Sequence, residues 1–183
     1  MTDPVFFFHQ SEKPYGVFSQ WHKSPFGGCS YRKFSCMEQY MMCEKAQCFD
    51  DEEAERKILA AKTPAEIKRL GRTVQGFADE TWNLHKFNIV VQGNTFKFQQ
   101  NPWMRSILLG TGDRLLVEAS PFDKIWGIGL DAAHAKLVPP ERWPGQNLLG
   151  KALMKVRDIL KEDPDGSKEL AEVERLLGFE ITS

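Results

Sequence analysis

The sequence predicts an α+β fold that is mainly helical, and three observations carry that reading. The first 34 residues alternate aromatics with Gly and Pro ("PVFFFHQ", "KPYGVFSQW", "SPFGGCSYRKF"), the pattern of short strands and turns. From Ser35 onward most segments repeat their apolar residues at helical spacing behind capping residues. One later segment, "DRLLVEAS", reads as a strand that enters a Pro/Gly-rich loop. A chain of 183 residues, 42% hydrophobic and 27% charged, can bury one sizeable core, so a compact single domain over residues 1–183 is expected.

The first helix is predicted over about residues 36–49. Ser35 is a candidate N-cap with Glu38 three residues on, and Met37, Tyr40, Met41, Ala46 and Phe49 follow at helical spacing. "DDEEAERKILAAK" carries its acids in front and its bases behind, as the helix dipole favours, and "TPAEIKRLGRTV" restarts with a Thr cap and Pro at the first helical position. Two short helices follow from these. Residues 79–98 are ambiguous: "VVQGNTFKF" reads as two strands around a Gly-Asn turn, or as part of a long helix with one weak glycine. "NPWMRSILLGTG" reads as a short helix closed by Gly110. "GQNLLGKALMKVRDILKED" is an amphipathic helix with Leu149, Leu153 and Val156 on one stripe, and "SKELAEVERLLGF" is another, capped by Ser167 and ended by Gly178. There is no internal repeat.

Composition excludes several function classes. Twenty-four Lys plus Arg against 25 Asp plus Glu leave a net charge of -1, so no global field advertises a nucleic-acid or membrane surface, and an anionic ligand must be held locally. No apolar stretch approaches the roughly 18 residues of a membrane span, and the N-terminus lacks a basic n-region. A soluble, cytoplasmic protein with no membrane and no obligate protein partner is expected. Cys29, Cys36, Cys43 and Cys48 fall at spacings of seven, seven and five residues, which match no CxxC metal pair. They read as buried free thiols, and the four histidines form no HExxH spacing, so no metal and no cofactor are expected. "GIGL" is not a dinucleotide fingerprint and no Walker lysine occurs.

The chemistry concentrates in two places. Glu38 and Lys45 are seven residues apart, which brings them within about 20° of one helix face and roughly 10 Å apart along the axis. Met41 and Met42 lie between them, so both groups are either partly desolvated, the condition that perturbs a pKa, or snorkel to water from the edge of the core. The loop "EASPFDKIWGIGLDAAH" gathers Glu118, Asp123, Trp126, Asp131 and His134, the composition of a loop that stacks a flat ring or binds a sugar. Arg72, in "LGRTVQG", is a phosphate fork or a solvated helix end.

Taken in order, "MEQYMMCEKAQCF", "LGR" at 70–72, "TW" at 81–82, "LLGTGDRLLVEASPFDKIWGIGL" and "GQNLLGKALMKVR" resemble the NADAR (YbiA-like) family in both sequence and spacing. "YGVFSQW" resembles the family's aromatic "FSNF"-type opening, with Gln20 where Asn is usual and Trp21 as the aromatic after it, and the likeness covers roughly residues 13–160. The resemblance implies a compact, mainly helical α+β domain with residues 79–98 mostly helix. It implies cleavage of an N-glycosidic bond between ribose and a base nitrogen. It places the motif acid on Glu38, the lysine on Lys45, the tryptophan on Trp82 and the aspartate on Asp123, followed by Trp126 and Gly127. Phe18, Ser19, Gln20, Arg72 and Glu118 join Trp82, Trp126 and Gly127 as expected substrate contacts. For Trp82 and Trp126 the plain alternative is core packing.

The family's substrates are ADP-ribose on guanine bases, which would place the activity in DNA repair, or phosphoribosylamino-pyrimidine intermediates of riboflavin synthesis. The first is the leading expectation; a non-catalytic ADP-ribose-binding module is the rival of another class. An amine opposite an acid suits a reaction in which uncharged Lys45 attacks the anomeric carbon, expels the base and leaves a Schiff base for water to release, with Glu38 or Asp123 moving the protons. The balanced charge predicts recognition of the modified nucleotide and its diphosphate with little contact to flanking DNA.

Overall fold

A computed structural model describes residues 3–28 and 32–163. In chain order they form β1 (Val5–Phe7), a 3₁₀ turn (Tyr15–Phe18), β2 (Phe26–Gly27), β3 (Lys33–Phe34), α1 (Met37–Cys48), α2 (Glu52–Ala60), α3 (Pro64–Gly71) and α4 (Asp79–Gln100). Then come α5 (Pro102–Leu109), β4 (Leu116–Glu118), α6 (Ala132–Ala135), a 3₁₀ turn (Pro140–Arg142) and α7 (Leu148–Glu162). The fold is mainly helical α+β. β1 pairs in parallel with β4, Val5 opposite Leu116 and Phe7 opposite Glu118, while β2 and β3 form a small antiparallel pair. The helix predicted at 167–178 and Cys29 lie outside the described residues. Cys36 and Cys43 are buried free thiols and Cys48 is half-buried.

The long helix α4 packs against both α1 and α7, and its length settles the ambiguous segment. From Ile89 to Phe98 every residue is buried, so the helix shows no polar face and its periodicity is erased. Gly93 is what permits this packing: a Cβ there would collide with the Tyr40 ring and the Met37 methyl, so the glycine lets α4 cross α1 closely. Tyr40 then donates its hydroxyl to Gln92 Oε1 at 2.7 Å across the same crossing.

α1 starts one residue later than the capping-box pattern predicts. Cys36 is the extended residue before the helix, and the reciprocal contact runs from Gln39, whose Oε1 accepts the Ser35 amide and hydroxyl, both at 2.8 Å. Gln39, rather than Glu38, closes the helix front. Glu38 is thereby left free to point elsewhere, while its backbone N–H donates to the Gln20 carbonyl at 3.0 Å.

The Thr63 cap ahead of Pro64 agrees with the sequence, its hydroxyl accepting the Glu66 amide, and at the acid-rich front of α2 Asp51 accepts the Ala54 amide. On α7, Leu149, Leu153 and Val156 are fully buried as one stripe. A main core runs from Val5 to Leu160, and a smaller cluster of Val117, Ile128 and Ala135 lies with Phe6, Leu115, Leu130 and Trp143. No helix among the described residues is long and apolar enough to cross a membrane.

Candidate active site

Glu38 stands in the first turn of α1 and Lys45 in its last, both half-buried. The Lys45 ammonium is held from two sides. It donates to the Gly71 carbonyl at 2.8 Å and lies 4.0 Å from the centroid of the Phe77 ring, which packs edge-on against Phe49 at 5.3 Å. Gly71 can bring its carbonyl this close because it has no side chain; a Cβ there would overlap the Met42 thioether. Desolvation pulls the Lys45 pKa below its ordinary value, opposed by the charges of Asp79 and Glu38.

Glu38 responds in the opposite sense. Burial pushes its carboxyl up to about 7; Lys68 and Lys45 pull against this and the Asp123 charge adds to it. Glu118, at the end of β4, is pushed up to about 8 by burial, then by repulsion from Asp123 and Glu38. Three carboxyl groups from α1, β4 and the loop after it thus sense one another. Near neutral pH, Glu38 and Glu118 can hold protons, which ordinary surface carboxylates cannot.

The loop after β4 is tied to its neighbours at several points. Asp123 Oδ1 accepts the amides of Ile125 and Trp126 at 2.7 and 2.8 Å, an Asx turn that fixes both its own oxygens and the next residues. The Ile128 amide returns to the Glu118 carbonyl at 3.0 Å, and the Trp126 carbonyl accepts from Leu149 of α7 at 3.0 Å. Asn147, held at positive φ, takes the Glu118 amide on Oδ1 at 3.0 Å and donates to the Leu116 carbonyl. The Glu118 backbone is therefore pinned on both sides. Its Oε2 is buried and makes no hydrogen bond among the described residues.

The other predicted residues divide. Trp82 and Trp126 are half-buried and packed against the main core, so each keeps part of its ring exposed while serving the fold. Arg72 is exposed at the end of α3. Gly127 is buried, but what approaches it is the protein itself: a Cβ would lie 2.9 Å from the Glu118 carbonyl oxygen and 3.0 Å from that of Asp123. Its missing side chain thus lets the loop after β4 close on its own backbone, a different reason from close ligand approach. Phe18 corrects the expectation of a substrate contact. It is 0% exposed, stacked on Tyr15 and edge-on to Phe7 and Phe98, so its ring is core. Ser19 and Gln20 are nearly as buried, and Gln20 holds the Glu38 amide on its carbonyl while its side chain accepts from Asn94 at 3.4 Å. The opening motif braces the site from behind.

Asp131 and His134 separate from the cluster, because Asp131 caps α6 and takes both the His134 amide and its ring Nδ1. No group of His, Cys, Asp and Glu among the described residues is arranged to hold a metal ion. Phe77, Lys68 and Asp79, which tune Lys45 and Glu38, escaped the sequence reading because a turn and two helix ends give no periodic signal. A separate cavity of about 800 Å³ opens among Phe6, Tyr15, Arg114, Lys136 and Trp143 and is lined by none of the candidate catalytic residues.

Comparison with known proteins places this geometry among relatives. The profile of the NADAR domain matches residues 6–161. The chain is 46% identical over 164 residues to N-glycosidase R617 of Acanthamoeba polyphaga mimivirus, covering 86% of this chain and 96% of that protein. It is 29% identical over 178 residues to the maize riboflavin biosynthesis protein PYRR, chloroplastic, covering 91% of this chain and 27% of that longer protein. The NMR structure of the Escherichia coli protein YbiA superposes with a TM-score of 0.72 at 27% identity, over 90% of this chain and 89% of that one.

Proposed function

Because the chain belongs to the NADAR domain family, we propose that it removes ADP-ribose from ADP-ribosylated guanine through a Schiff base on Lys45. Its class is that of the N-glycosidases, hydrolases that cut the bond between a sugar and a nitrogen. The observation that carries the mechanism is the pairing of a desolvated amine on α1 with a carboxyl cluster in which Glu38 is pushed up to about 7.

The steps follow from those groups. Glu38 gives its proton to the ribose ring oxygen, which opens the ring and leaves a C=N bond between the anomeric carbon and the base nitrogen. Neutral Lys45 adds to that carbon, its surplus proton returning to the Glu38 carboxylate. The base nitrogen takes a proton from Glu38 and departs, leaving the C=N bond to Lys45. Water adds to this carbon, the amine leaves, and the freed aldehyde recloses as ribose. Burial, with the charge of Asp123 adding to it, keeps Glu38 and Glu118 protonated near neutral pH, and two backbone N–H groups fix the Asp123 carboxylate in place. Trp126 and Trp82 wall the groove, and Arg72 is available to a phosphate of the diphosphate.

The likeness to PYRR supports a second reading, in which the sugar-bearing nitrogen belongs to a phosphoribosylamino-pyrimidine of riboflavin synthesis. The same groups would perform the same steps. Base release measured side by side on ADP-ribosyl-guanosine and on the pyrimidine intermediate decides between them. Release from the guanine substrate alone supports the proposal, and release from the pyrimidine alone rejects its substrate. Saturable ADP-ribose binding with no release from either would leave a binding module and no enzyme.

A further inference from the structure

Lys97 lies in the part of α4 that is buried all round, is 0% exposed, and enters no ion pair among the described residues. Its ammonium donates instead to two backbone carbonyls, Val17 at 2.6 Å and Ser19 at 3.3 Å. Removing an ammonium from water without a counter-charge is costly, and burial pushes this one down to about 7. A helix that needed only packing would carry Leu or Met here. Val17 lies within the 3₁₀ turn and Ser19 just after it, where the Ser19 carbonyl also accepts the His22 amide at 3.2 Å, so Lys97 ties the turn and the segment leaving it to α4.

The next residue along that segment is Gln20. Its carbonyl accepts the Glu38 amide at 3.0 Å, filling one of the unpaired donors at the front of α1. Its side chain accepts from Asn94, three residues before Lys97 on α4. One helix therefore grips the segment twice, by its backbone through Lys97 and by its side chain through Asn94, and the segment in turn grips α1 at Glu38.

We propose that Lys97 is a positioning residue: by clamping residues 17–19 it fixes the Gln20 carbonyl against the Glu38 amide and so sets where the Glu38 carboxyl stands in the site. The inference rests on the reading of Glu38 as the proton donor. The clamp explains why the "VFSQ" stretch, buried throughout, sits beside the helix that carries Glu38. It also explains why a lysine without a carboxylate partner occupies the core.

The test uses Lys97→Met, Lys97→Gln, Glu38→Gln and the Lys97→Met/Glu38→Gln pair, each with a thermal melt and full kinetics. Methionine keeps the length and apolar stem while removing the ammonium. If Lys97 acts through Glu38, Lys97→Met melts cooperatively, loses about tenfold or more in kcat and changes KM by less than about twofold. In the Glu38→Gln background the same change then adds little, because groups that act as a unit are not additive. Wild-type kcat in Lys97→Met, or an equal further loss in the Glu38→Gln background, overturns the inference while leaving Glu38 in place. Failure of both Lys97→Met and Lys97→Gln to fold also overturns it, since Lys97 would then be a requirement of the fold alone. Wild-type kcat in Glu38→Gln by itself would remove both the Glu38 reading and the clamp that rests on it.

Discussion

Lys45 donates its ammonium to the Gly71 carbonyl at 2.8 Å, a contact that joins the last turn of α1 to the last residue of α3. It fixes the amine in a half-desolvated position between a carbonyl and the Phe77 ring. The contact depends on the absence of a side chain, since a Cβ on Gly71 would overlap the Met42 thioether. Gly71→Ala is therefore expected to push α3 away from α1. The cost in stability should be about 1–3 kcal/mol, the usual range for overpacking, with a loss of kcat as Lys45 loses its acceptor. Urea unfolding and steady-state kinetics measure the two effects; an unchanged kcat would show that the Gly71 contact does not matter to the amine.

The rate should be bell-shaped in pH. Lys45 must be neutral to attack, so the acidic limb reports its deprotonation at a pH below that of an ordinary lysine. Glu38 must hold its proton to protonate the leaving base, so activity falls as pH rises through about 7. Glu38→Gln removes that alkaline limb and lowers kcat by about 10²–10⁴-fold, the common worth of a general acid. An alkaline limb that survives unchanged in Glu38→Gln would assign the proton to another group.

The raised carboxyls also make stability depend on pH. Glu118 has a folded pKa of about 8 against a reference of 4.5, so its contribution is fully present below about 4.5 and is lost as pH rises through about 8. Glu38 and Glu44, both raised to about 7, act in the same direction. Lys97, lowered to about 7 from 10.5, acts oppositely above neutrality. Glu118→Gln cannot ionise, so it should melt higher than the wild type at pH 8 and nearly level with it at pH 5. A melting temperature at pH 8 at or below that of the wild type would show that the Glu118 carboxyl is not strained by its neighbours.

How much of this the sequence made legible depended on where each residue sits. The seven-residue spacing of Glu38 and Lys45 sufficed to place them on one face of α1, because that helix keeps two ends near solvent. The strand carrying Glu118 and the loop carrying Asp123 were visible in their Pro and Gly punctuation. α4 was not legible from pattern alone, because a helix covered on all sides from Ile89 to Phe98 has no polar face to reveal its period. Lys97 was hidden for the same reason: a lysine inside such a run reads as a solvated position. Sequence alone cannot place Phe18, because an aromatic motif next to a site looks the same whether it lines the pocket or supports its wall.

If Lys45 is the nucleophile, borohydride added during turnover traps it. Reduction of the C=N bond would leave a stable ribosyl adduct, located by mass spectrometry on the peptide containing Lys45. Lys45→Arg should give no adduct and no turnover, because a guanidinium stays protonated and cannot attack. An adduct on Lys45 that appears only with substrate is the predicted result. No adduct in the wild type, together with near-normal kcat in Lys45→Arg, would contradict the covalent mechanism and leave a carboxylate to activate water directly.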